Sequence, residues 1–345
     1  MLRLENEAGR AEYGEAAPVP GFGGGTADDA EQLLRGLGSA DQSTGARKVL
    51  ADELAEVVGQ GGCAGFALEC ALVDFRRLDA TVGRVGDLAT ANGAEENRSQ
   101  LSELADSIPE FLPVAALLPA GRGALARIAP LAEAGFRTFK WKVGVAPVGE
   151  ELPLLDDLCA ELPGGARLRL DANGAWDRRA AERWLERCAE RPVEFVEQPC
   201  FAEASQGTAL QGRTEDLLCG LAEDYPTPLA LDESLAGTGD VERWLAAGWH
   251  GVWVIKPSLL VGAETLAQLR AAKADVVFSS ALETAVGARA ALRVAFAWDK
   301  NQRALGFGVW PLFQDGRFDG PALAPFLWHR DVERINVEAA WNALS

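Results

Sequence analysis

From about residue 113 onward, short apolar runs alternate with amphipathic stretches of helical period. The runs cover residues 113–118, 136–143, 167–171, 193–197, 229–232, 251–256, 275–279 and 304–309. Between most of them lie segments such as 178–190, 241–247 and 263–272, where apolar positions recur three and four apart. Strand–helix alternation implies parallel strands joined by right-handed crossovers. Eight such units predict an α/β fold, a (β/α)8 TIM-like barrel. A doubly wound open sheet is the alternative reading of the same alternation.

The first third has another texture. Residues 1–25 read as a strand, a turn and a loop rich in glycine and proline. Residues 26–110 read as mostly helical, with Ala and Leu at helical spacing through 46–58 and 64–78. The polar stretch 91–100 reads as a surface loop.

Composition narrows the functional classes. The 345 residues are 48% hydrophobic and 24% charged, ordinary for a globular protein. No apolar run approaches the roughly 20 residues that span a bilayer, and the N-terminus lacks a signal peptide's apolar core. A cytoplasmic enzyme acting on a small molecule, with no membrane span, is expected. Formal net charge is −18, from 51 acidic and 33 basic residues, which argues against nucleic acid as a partner. None of the six cysteines forms a CxxC pair, so buried free thiols are expected. His250 and His329 are the only histidines, so acid–base chemistry falls to Lys, Asp or Glu.

The polar residues that end the apolar runs carry the candidate chemistry. Lys140 and Lys142 close the second run, Asp171 the third and Glu197 the fourth. Asp232 closes the fifth, Lys256 the sixth, and Ser279 and Ser280 the seventh. In a barrel these positions share the C-terminal face, where such folds build active sites. Side chains alternate along a strand, so Lys140 and Lys142 face one way, as do Arg169 and Asp171. Three carboxylates without His or Cys make an all-oxygen site, which favours Mg2+ over zinc or copper. Lys142 is a candidate base, because burial and the neighbouring Lys140 cation disfavour its charged form. With Lys256 approaching from the other side, the set suits removal of a proton alpha to a metal-bound carboxylate, the enediolate being stabilised by the cation. Taken singly, each motif has a plainer reading. A KxK is usually a solvated strand edge, DES a helix N-cap, and Ser280 with Glu283 a capping box.

As an ordered set, Lys140-Trp141-Lys142, Asp171-Ala172-Asn173, Glu197-Gln198-Pro199, Asp232-Glu233-Ser234 and Lys256-Pro257 resemble the muconate-lactonizing branch of the enolase superfamily. The resemblance implies an N-terminal α+β capping domain over 1–110, a catalytic barrel over 111–310 and a C-terminal segment, 311–345, returning to the cap. It implies Asp171, Glu197 and Asp232 as Mg2+ ligands, Mn2+ being a possible substitute, with Lys142 and Lys256 as the catalytic lysines. Lys140, Arg169, Asn173, Ser258, Ser279 and Ser280 are its candidate substrate contacts. Further details, such as Ser279-Ser280-Ala281-Leu282-Glu283, resemble the branch's dehydratases. These carry out syn-dehydration of 2-succinyl-6-hydroxy-2,4-cyclohexadiene-1-carboxylate on the way to menaquinone or phylloquinone. An N-acylamino acid racemase, dipeptide epimerase or cycloisomerase is the alternative. The family pattern has a further strand and a specificity loop before the segment matching 2–15. Closure over substrate is therefore expected to differ here, with the metal site unaffected.

Overall fold

The computed structural model describes residues 1–5, 9–19, 25–37, 39–40, 47–48, 54, 56–58, 62–82, 108–201, 208–260, 262–298 and 303–344. The polar stretch 91–100 and most of the glycine- and proline-rich loop lie outside them.

Seven parallel strands form one sheet in sequence order: Ala116–Leu118, Thr138–Lys142, Arg167–Asp171, Val193–Glu197, Leu229–Leu231, Val252–Ile255 and Asp275–Phe278. They are the first to seventh barrel strands below. The ring closes through parallel bridges from Ser279 to Gly306 and from Leu305 to Val114. Seven of the eight expected strands form, and the eighth position, expected over 304–309, contributes only these bridges. A Cβ on Gly306 would sit 2.4 Å from the Ser279 Oγ, so only glycine lets the closing segment approach.

Both faces of the strands are covered, as parallel sheets require. Outward-facing Trp141 is fully buried against Trp184 of helix Arg178–Cys188 (ring centroids 6.2 Å), and Trp184 stacks on Trp176. Inward-facing Phe195, Ala230, Val252, Val254 and Val277 fill the barrel as a small separate cluster. Arg169 lies with them, its guanidinium 4.8 Å from the Phe195 ring centre. The register slips by one residue beside Leu168, and Glu194 is the extra residue. That bulge brings the Glu194 carboxylate to Arg169 Nε, 2.7 Å away. Arg303 bonds Glu194 and Asp275, and Arg169 Nη1 donates to the Ala304 carbonyl. Charged groups thus tie the start of the closing segment to three strands.

The N-terminal part holds a hairpin of Leu2–Glu5 with Ala11–Gly14 and helices Ala27–Gly36 and Gly62–Val82. The long helix meets the helical reading of 64–78. The reading of 46–58 is corrected at Arg47–Lys48, which pair antiparallel with Ser39–Ala40. Short apolar runs do not distinguish helix from strand by period alone. Tyr13 packs with Ala285, Val286, Val337 and Ala340, joining hairpin, barrel helix and C-terminal helix in one cluster. Among the described residues no helix is long and apolar enough to cross a membrane.

Candidate active site

Strand register assembles the site. Lys142 pairs with Asp171, and Asp171 with Glu197, so three functional groups stand level on three adjacent strands. Ala230 pairs with Glu197, which carries Asp232 just past the end of the fifth strand. Lys256 and Ser279 are likewise the first residues beyond the sixth and seventh strands. Second and sixth strands lie opposite one another in an eight-membered ring, so Lys142 and Lys256 face each other across the mouth. A cavity of about 400 Å³ opens there, lined by Lys140, Lys142, Asp171, Asn173, Asp232, Lys256, Ser279 and Ser280. Val19, Leu117, Leu118, Leu282 and Val309 supply its apolar wall.

The charges pair closely. Lys140 Nζ lies 2.9 Å from Asp171 Oδ2 and 2.8 Å from Glu197 Oε1. Lys256 Nζ lies 2.6 and 2.7 Å from the two Asp232 oxygens. Burial opposes the Lys140 charge, but Glu197, Asp171 and Asp232 outweigh it and raise its pKa. Lys140 is therefore a fixed cation near Lys142. Burial, and next the Asp171 charge, hold Glu197 well above the usual carboxylate range, against the pull of Lys140. Lys142, expected to be buried, is exposed to the cavity, and among the described residues its ammonium has no ion pair or hydrogen bond.

Further polar residues brace the loops that carry the site. The fully buried Gln198 accepts from the backbone N–H groups of Asp232 and Ser234 (2.9 and 3.1 Å) and donates to Ser234 Oγ. It thereby fixes the loop that carries Asp232. Asn173 donates to Glu233 Oε1 at 2.8 Å, joining the loops behind Asp171 and Asp232. Glu151 accepts from the amides of Gly144, Val145 and Ala146, anchoring the turn after Lys142. Spacing gave no signal for Glu151, since its partners belong to a loop before its own helix.

Two expected substrate contacts are not brought to the cavity. Arg169 is 1% exposed and held by Glu194 and Ala304 deeper in the barrel. Alternation gave its direction correctly, but two residues along a strand place it a layer below Asp171. Ser258 is fully buried in the short helix Pro257–Leu260. Ser279 and Ser280 reach the cavity with their hydroxyls already engaged. Ser279 donates to the Gly306 carbonyl, and Ser280 donates to Glu283 and accepts from the Leu282 amide.

Glu283 is 1% exposed, and burial pushes its carboxyl up to about 7, its hydrogen bonds notwithstanding. The folded state then binds more protons than the unfolded state from the usual glutamate range up to about 7. Its contribution to stability therefore falls as pH rises through that window. Glu283→Gln removes this cost. Relative to wild type, the variant is expected to gain about 2–3 kcal/mol between pH 5 and pH 8. Denaturant melts of both proteins at the two pH values check it.

The donor set fits a hard divalent cation. Three carboxylates, one of them nearly inaccessible, share a region where two ammonium groups now serve as cations. Among the described residues no three ligating side chains lie close enough to share one ion. Lys140 bridges Asp171 and Glu197, and Lys256 holds Asp232. A concentration of buried negative charge that draws in two lysines is what an oxygen-ligated cation also satisfies.

Residues 124–324 match the family described as enolase C-terminal domain-like. The chain is 35% identical over 314 residues to the o-succinylbenzoate synthase of Thermosynechococcus vestitus, covering 89% of this chain and 83% of that one. The crystal structure of o-succinylbenzoate synthase from Thermosynechococcus elongatus BP-1, complexed with Mg in its active site, superposes with a TM-score of 0.69. It shows 32% identity and covers 99% of this chain and 90% of that one. A dipeptide epimerase from Enterococcus faecalis shares the fold at 20% identity, with a TM-score of 0.71 and coverage of 94% and 90%.

Proposed function

The chain belongs to the enolase superfamily, and we propose that it carries out the reaction of an o-succinylbenzoate synthase. That reaction is the Mg2+-dependent syn-dehydration of 2-succinyl-6-hydroxy-2,4-cyclohexadiene-1-carboxylate to 2-succinylbenzoate. The choice of substrate is supported by the similarity, in sequence and in structure, to the o-succinylbenzoate synthase of Thermosynechococcus BP-1. The observation that carries the chemistry is the placement of Asp171 and Glu197 on Lys140, and of Asp232 on Lys256, at one barrel mouth between lysines on opposite strands.

Asp171, Glu197 and Asp232 would hold Mg2+. When bound, the ion offsets the negative charge that builds on the substrate carboxylate as its alpha proton leaves. Lys142, without an ion pair among the described residues, takes that proton. The same ammonium then protonates the departing beta-hydroxyl. One C–H and one C–O bond break, water leaves from the same face, and the ring becomes aromatic. Lys256, beside Asp232, contributes positive charge on the opposite face without moving a proton. Lys140 keeps a second fixed cation beside Asp171 and Glu197. The division into a cap over 1–110, a barrel over 111–310 and a returning C-terminal segment belongs to the same reading, supported by the Tyr13–Val337–Ala340 cluster. So do a cytoplasmic location and Mn2+ as a substitute ion, the latter suited to the same oxygen donors.

One observation favours a second reading. Lysines on opposite strands are what a racemase of N-acylamino acids needs, one proton carrier per face. The similarity to an o-succinylbenzoate synthase over most of the chain weighs against it. Incubation with N-succinylamino acids in deuterated solvent, beside a dehydration assay, separates the two. Dehydration with little exchange is expected. Rapid exchange from both faces without dehydration contradicts the dehydratase.

A further inference from the structure

The cavity wall between the seventh strand and its following helix is built around two carboxylates that the reaction does not use. Ser280, Ala281 and Leu282 line the cavity. Ser280 Oγ donates to Glu283 Oε2 at 3.0 Å, and the Ala281 amide donates to the same oxygen. Leu282 sits in the left-handed region at φ 65°, uncommon for a residue other than glycine, and exposes about half its side chain. Glu283 Oε1 is buried without a partner. Next along the chain, Thr284 donates through both its amide and its hydroxyl to Glu15, and the Gly287 amide donates to Glu15 at 2.8 Å. Glu15 is itself 7% exposed and lies four residues before Val19, which lines the same cavity. A Cβ on Gly287 would come 2.8 Å from Glu283 Cβ and 3.0 Å from Glu15 Oε2, so a glycine lets both carboxylates close on one helix start.

We infer that Glu283 and Glu15 are positioning residues that fix the Ser280–Leu282 wall against the N-terminal segment and so set substrate fit in the dehydration proposed above. Glu283 acts through Ser280 and the Ala281 amide, holding Leu282 in its strained conformation. Glu15 registers Val19 against that wall through Thr284.

Glu283→Ala, Ser280→Ala and the double variant test this. The expected result is KM raised about tenfold by Glu283→Ala with kcat changed far less, and non-additive effects in the double variant. Glu283→Gln, which keeps an acceptor at the Oε2 position, should retain near-wild-type KM. Additive effects, or equal losses in kcat and KM for every variant, overturn the inference. Amide hydrogen exchange reads the same joint without turnover. Faster exchange at Ala281 and Leu282 in Glu283→Ala, and at Thr284 and Gly287 in Glu15→Ala, is expected. Unchanged exchange at those amides overturns it even if the wild-type chain dehydrates nothing, an outcome that would count only against the proposed reaction.

Discussion

Lys142→Ala is expected to lower turnover by about four orders of magnitude while leaving folding and Mg2+ affinity unchanged. A single positioned acid or base contributes roughly 10²- to 10⁴-fold, and Lys142 serves twice, as base and then as acid. Its removal therefore belongs at the upper end of that range. Structural damage is not expected, because Lys142 is exposed and, among the described residues, its ammonium has no ion pair or hydrogen bond. Steady-state rates, circular dichroism and Mg2+ titration of the variant check the three parts together. A rate within tenfold of wild type would remove Lys142 from the proton path.

Arg169→Met is expected to destabilise the fold by about 3 kcal/mol, since removing one partner of a buried pair leaves the other charge poorly compensated. The loss also includes the hydrogen bond to Ala304 and the contact with the Phe195 ring. Arg303 still reaches Glu194, which keeps the effect at the lower end for a broken buried pair. The cost should depend on pH. Burial would raise the Glu194 pKa, but Arg169 and Arg303 outweigh it and hold it below the usual range. A depressed carboxylate contributes stability above its unfolded pKa and loses it as pH falls through the folded value. Urea melts should therefore show the gap between wild type and variant narrowing on acidification below the usual glutamate range. A gap that is constant or widens contradicts this role for Arg169.

These two residues mark how far the sequence could be read. Lys142 was legible because a charge ending an apolar run must sit at a strand end, and recurrence on neighbouring runs implied convergence. Asp171, Glu197, Asp232 and Lys256 follow from the same pattern; register sets Lys142, Asp171 and Glu197 level, while Asp232 stands two residues beyond Ala230, the partner of Glu197. Arg169 obeyed the same alternation yet lies one layer deeper. Period two fixes the face of a strand, whereas depth depends on where the barrel narrows and on the bulge that turns Glu194 inward. Ser280 with Glu283 fitted a capping box, and the structure keeps that bond but makes Thr284 the N-cap. Glu15 gave no signal, because its partners, Thr284 and Gly287, come from the far end of the chain. The eighth strand, read over 304–309, is reduced to bridges at Leu305 and Gly306.

The direct measurement is dehydration of 2-succinyl-6-hydroxy-2,4-cyclohexadiene-1-carboxylate, followed through formation of the aromatic product before EDTA treatment, after it, and after Mg2+ is restored. Activity that vanishes with EDTA and returns with Mg2+ in the wild type, but not in Asp171→Asn or Lys142→Ala, is the expected result. Dehydration that persists without a divalent ion, or none under any of these conditions, contradicts a carboxylate-held cation serving a lysine base.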